Sequence, residues 1–172
     1  MKWYPDSLSA NNKEIGIIPR NLLALILLGF FFIVPVHFFV IGDGYGYGIQ
    51  GLTYKYQITT YGESFIPLSY ESGYVLDNIL TGKTAYSIIV WIIAVIFYTI
   101  GMLLYLVGYD EQTSKKIRIC TWFIVGSLVL MTGSSMIQYG PFFMGPAGVS
   151  ILFGLPFLFF TGWSMYSLST EC

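Results

Sequence analysis

The side chains able to do chemistry in this chain are few and scattered. One histidine stands in Pro35-Val36-His37. A haem held by two histidines, or a histidine-rich metal site, needs partners that a single His lacks. His37 reads either as a packed imidazole bonded to a carbonyl freed by Pro35 or as a polar switch titrating near neutral pH. The two cysteines, Cys120 and Cys172, form no Cys-x-x-Cys. That excludes the thiol chemistry of four-helix, quinone-reducing oxidoreductases. Asp43, Glu63, Glu71 and Asp77 share a segment that holds no histidine. They read as solvated charges, not as an acid–base pair. Thr81-Gly82-Lys83-Thr84 resembles the end of a phosphate loop, but Asp77 and Asn78 stand where the leading glycine belongs. No catalytic residue, cofactor or metal ligand is assigned.

The elements around these residues are apolar. Of 172 residues, 55% are apolar and 10% charged, with a net charge of −1. Soluble domains carry about 25% charged residues, so the composition is that of a membrane protein. Eight basic against nine acidic residues leave no surplus for phosphates, which excludes a nucleic-acid partner. Four runs have the length of about 20 residues that a spanning helix needs: 22–41, 86–107, 119–137 and 147–166. None holds Asp, Glu, Lys or Arg, so proton- or ion-coupled transport lacks its charge. The expected fold is an all-α membrane protein: a four-helix transmembrane bundle, one domain over 1–172, with a small extracytoplasmic cap at 42–85 that contains a β-hairpin.

Basic residues orient the bundle. Lys2, Lys13 and Arg20 precede the first run, and Lys115, Lys116 and Arg118 separate the second from the third. The expectation is a multi-pass protein of the cell membrane with both termini cytoplasmic. In the cap, Leu52, Tyr54, Tyr56 and Ile58 alternate with Thr53, Lys55, Gln57 and Thr59, the period of a half-buried strand. Residues 64–68 return as a second strand, and 73–80 form a short helix. Gly42 to Gly48 read as a flexible hinge. The apolar strand face is expected to cover helix ends or a partner.

Tyr45, Tyr47, Tyr54, Tyr56, Tyr61 and Tyr70 concentrate in the cap, where tyrosine offers contact area and a hydrogen-bonding tip. They are the interaction candidates. Gly133 and Ser134, with the small pair Ser150 and Gly154, are expected to let helices approach closely. Pro156 is expected to kink the fourth helix. The layout resembles that of claudin-like four-span proteins, but Gly51-Leu52 leads into Thr53-Tyr54 and the loop holds neither Trp nor Cys, so no family is assigned. The expected function is a non-catalytic assembly or accessory subunit, partnered by the lipid bilayer and by further copies or other membrane proteins. The alternative is a carrier or oligomeric pore that binds a lipid, quinone or other apolar ligand between aromatic spans.

Overall fold

The computed structural model describes residues 25, 29, 32–107 and 114–170. Both chain ends, the tail carrying Lys2, Lys13 and Arg20, and eight of the twenty residues of the first predicted span lie outside them. Six strands form one antiparallel sheet: β1 (His37–Ile41), β2 (Gly46–Gln50), β3 (Tyr54–Thr59), β4 (Gly62–Pro67), β5 (Met144–Gly145) and β6 (Gly148–Ile151). The order across it is β4-β3-β2-β1-β6-β5. Four helices accompany it among the described residues: α1 (Leu68–Leu76), α2 (Gly82–Val107), α3 (Ser114–Tyr139) and α4 (Leu155–Thr170).

This arrangement corrects the all-α, four-helix bundle. Two of the four predicted spans are not continuous helices. In the run 22–41, helical backbone stops after Ile33, and His37–Ile41 become β1. Proline lacks an amide hydrogen and pushes the residue before it towards extended backbone. Beyond Pro35, the aromatic and β-branched His-Phe-Phe-Val-Ile suits a strand. In the run 147–166, Gly148–Ile151 pair with β1 as β6, and the helix begins only at Leu155. Pro156 sits in the first turn of α4, where a missing amide costs no hydrogen bond, so it starts the helix instead of kinking it. The Gly/Tyr hinge is also ordered, as a single 3₁₀ turn leading into β2. The cap is therefore a six-stranded sheet drawn from both halves of the chain, not a hairpin within one loop.

The short cap helix lies earlier than expected, over Leu68–Leu76. It ends where Asn78 takes a positive φ of 57°, the left-handed geometry common at helix ends.

Among the described residues, two helices are long and apolar enough to cross a membrane, over Gly82–Leu106 and Arg118–Tyr139. At about 1.5 Å per residue, the 26 residues of α2 reach about 39 Å, beyond the ~30 Å of a hydrocarbon core. Only 39% of each apolar window is buried. The core helix of a soluble protein would be covered on most sides. Here Ile89, Ile93, Ile96, Ile100 and Leu103 form an exposed apolar stripe at helical spacing along α2. Trp91, Ala94, Val95, Tyr98 and Met102 form its buried face, packed with Ile124, Leu128 and Met131 of α3 and Leu158 of α4. α4 has 16 residues and is shorter than a span requires.

The sheet is fastened to one end of the α2–α3 pair. Leu52, in the turn between β2 and β3, is fully buried in the helix core. The Trp91 indole donates to its carbonyl at 3.1 Å. Val36 enters the same core, and its carbonyl accepts from the Gly154 amide at 2.9 Å, just before α4. Leu52→Ala would leave a cavity at this joint. We expect it to lower stability by about 3 kcal/mol, measured as a lower unfolding midpoint in detergent. An unchanged midpoint would show that the turn does not anchor the sheet.

Candidate functional site

Directly paired residues of neighbouring strands share a face of the sheet. The register places His37 opposite Gln50, and Gln50 opposite Lys55. Ser150 shares that face, because it pairs with Phe39, two residues from His37. This face turns towards the helices. The other face carries Phe38, Tyr47, Tyr54, Tyr56, Phe65 and Ile151.

The strand alternation was thus read correctly, but its two faces play unexpected roles. The side bearing Lys55 lies against the helices, and the side bearing Tyr54 and Tyr56 looks away from them. Leu52 departs from that set by dipping into the core. The reason is electrostatic as well as steric. Lys55 meets Glu71 of α1 at 3.5 Å and lies 4.9 Å above the Phe39 ring. Its polar head is matched beneath the sheet.

His37 is the centre of the joint and is 2% exposed. Nδ1 is 3.3 Å from Gln50 Oε1, and Nε2 is 2.7 Å from Ser150 Oγ. A neutral ring carrying its hydrogen on Nδ1 satisfies both contacts, donating to Gln50 and accepting from Ser150. Its ring meets Tyr139 edge-on at 5.6 Å and Trp91 at 6.3 Å. Burial lowers its pKa from 6.5 to about 4; the Gln50 hydrogen bond opposes that shift, and the Lys55 charge adds to it. His37 is thus neutral at pH 7. A hydroxyl beside an imidazole is also the pairing of a nucleophile with its base. Here Ser150 is 5% exposed, and its hydroxyl is spent on holding the ring. The pair is a clamp between β1 and β6.

Beneath His37 lies a polar cavity of about 30 Å³, bounded by the sheet, α1 and the facing ends of α2 and α3. Ser87 of α2 and Ser134 of α3 close one side. Their hydroxyls are 3.0 Å apart, and Ser134 lies 2.8 Å from the Ser87 carbonyl. Among the described residues, no three His, Cys, Asp or Glu side chains converge on a metal-sized point.

The chain matches no family model, no curated protein and no solved structure. Its site is defined by geometry alone.

The candidates singled out from the sequence separate into groups. Tyr47, Tyr54 and Tyr56 share the outward face, where Tyr54 stacks on Phe65 at 5.6 Å. The Tyr56 hydroxyl donates to the Glu63 carboxylate at 2.7 Å, which raises the phenol pKa. Tyr45 precedes β2, Tyr61 caps the β3–β4 turn and Tyr70 lies on α1; all three are exposed, away from that face. Ser150 and Gly154 do not form a helix face, since one lies in β6 and the other precedes α4. Gly154 instead packs on the Val36 backbone, where a Cβ would come within 2.5 Å of Cα. Gly133 faces open space. Ser134 is the one member of the set that bridges two helices.

Glu71, read from the sequence as a solvated charge, is instead buried against Lys55, and Gln50, Lys55, Ser87, Ser135 and Tyr139 were not singled out. One signal was available. Ser87 and Ser134 are equidistant in sequence from the midpoint between α2 and α3, so antiparallel packing of the two helices sets them side by side.

Proposed function

We propose that the protein is a non-catalytic integral membrane subunit, anchored by α2 and α3, that assembles through the aromatic outer face of its sheet. One observation carries this reading. Phe38, Tyr47, Tyr54, Tyr56, Phe65 and Ile151 share one face of the sheet, with Tyr47, Phe65 and Ile151 more than half exposed. Aromatic residues dominate protein interfaces because they combine a large contact area with few rotatable bonds. The partner is a second copy or another membrane protein.

The same reading makes α2–α3 a two-pass hairpin. Lys115, Lys116 and Arg118 fall at the end remote from the sheet, which the charge rule places in the cytoplasm. The sheet then faces outside. A cysteine introduced by Tyr61→Cys should be labelled from outside only, and labelling from the cytoplasmic side alone would reverse the orientation.

Copurification of the full chain in mild detergent tests the assembly. A homo-oligomer or a stoichiometric partner is expected, and the Tyr47→Ser/Phe65→Ser double variant should weaken it at least tenfold. A monomer, or an assembly untouched by both substitutions, would overturn the reading. The carrier alternative is favoured by one observation, an open groove of about 370 Å³ lined by Thr53, Leu68, Ser69, Ser72 and Ile92. It lies beside α1, not between aromatic spans. A wild-type monomer with lipid or quinone bound would support it.

A further inference from the structure

The cavity beneath His37 carries more polar groups than the protein itself satisfies. Ser135 is 2% exposed and Tyr139 is 6% exposed, and both line the cavity. Neither hydroxyl has a hydrogen-bond partner among the described residues. Glu71 is 6% exposed, and among the described residues its one ionic contact is the 3.5 Å approach of Lys55. Charge-assisted hydrogen bonds between nitrogen and oxygen are usually about 2.7–2.9 Å long, so this pair is not closed. Thr84 and Gln138 add two more polar side chains to the wall. Buried polar groups without partners are costly, and native structures rarely leave several together.

The charges on the wall select the occupant. Lys55 opposes a cation, and Glu71 opposes an anion. An uncharged ligand that both donates and accepts meets neither obstacle. The volume sets its size. A water needs roughly 10–15 Å³ of such space, so about 30 Å³ holds about two. We propose that this cavity is a built water site, in which about two resident waters complete the hydrogen bonds of Glu71, Ser135 and Tyr139. The waters join the sheet and α1 to the ends of α2 and α3, beside the ring contacts of His37 with Trp91 and Tyr139.

The test uses the full chain in detergent micelles. Deuteron and oxygen-17 relaxation dispersion of the solvent counts waters held for longer than the protein tumbles. Wild type should show a slow component that Ser135→Leu, which fills the cavity, reduces by about two waters while circular dichroism stays native. Equal components in the two proteins would overturn the proposal. Should Ser135→Leu not fold, Tyr139→Phe decides by sign. In a hydrated cavity the lost hydroxyl removes a partner from bound water, and the unfolding midpoint falls by about 2–4 °C. In a dry cavity the same change removes an unsatisfied polar group, and the midpoint rises. Ammonium chloride provides the last arm. A midpoint that climbs with it, and not with tetramethylammonium chloride, would mean a bound cation and would also overturn the water site.

Discussion

Acidification from pH 6.5 to pH 5 is expected to remove about 2 kcal/mol of stability through His37 alone. The folded protein holds this ring neutral, with its pKa lowered to about 4, whereas the unfolded chain protonates it near 6.5. Between those values the unfolded state binds the extra proton, so stability falls as pH falls. The contribution is complete above pH 6.5, declines through the window and levels off below about 4. At about 1.4 kcal/mol per pH unit, the full displacement corresponds to about 3 kcal/mol. Protonation would also turn Nε2 into a donor towards Ser150 and place a cation beside Lys55. His37 is the single histidine of the chain, so its ring resonance is unambiguous. Its chemical shift should stay unprotonated at pH 5 in the folded protein. The unfolding midpoint should drop steadily from pH 7 to pH 5. A flat midpoint, or a ring that titrates near 6.5, would refute the buried clamp.

The second large effect is expected at Gly148. This residue opens β6 with φ of 125°, a conformation that side-chain-bearing residues rarely adopt. A Cβ there would strike the Val40 carbonyl oxygen and lie 3.0 Å from the Gly42 amide nitrogen. All of these neighbours are backbone, so no rotamer change relieves the contact. Gly148→Ala should therefore separate β6 from β1 and cost more than about 3 kcal/mol. With β6 gone, Ser150 would leave His37. Gly133→Ala is the matched comparison. It lies within α3, where an added Cβ meets nothing within 4 Å. Alanine is the better helix former, so this change should stabilise by about 0.5–1 kcal/mol. Unfolding midpoints of the two variants, with amide exchange at Val40 and Val149, distinguish them. A Gly148→Ala protein with native exchange at both amides would mean that β1 and β6 tolerate separation, and the account of this edge would fail.

The long apolar helices were legible because spanning length and unbroken hydropathy are local properties. The β3–β4 hairpin was legible for the same reason, since alternation and a turn signal lie within 15 residues. The strands inside the first and fourth apolar runs were not. His-Phe-Phe-Val-Ile and Gly-Val-Ser-Ile are as apolar as a spanning helix, and hydropathy does not separate a buried strand from a buried helix. Pro35 and the Gly154-Leu155-Pro156 step held the information, but as breakers they mark where a helix ends and not what replaces it. Pro156 shows the same ambiguity, because a kink and a helix start are written with one residue.

By itself, the sequence determined that the chain is apolar, that it holds four runs of spanning length without a charged residue, and that it has one histidine where a bis-histidine haem needs two. Composition and run length carry those conclusions, and neither depends on which segments meet. That two of those runs remain unbroken helices was decided by the structure. Tertiary structure alone decided that β1 and β6 pair across more than 100 residues, and that the lysine-bearing side of β3 turns inwards. It also decided that His37, Gln50, Lys55, Glu71 and Ser150 surround one joint. The physical reason is that burial and hydrogen bonding are properties of neighbours, and these neighbours are brought together by strand pairing, not by position along the chain.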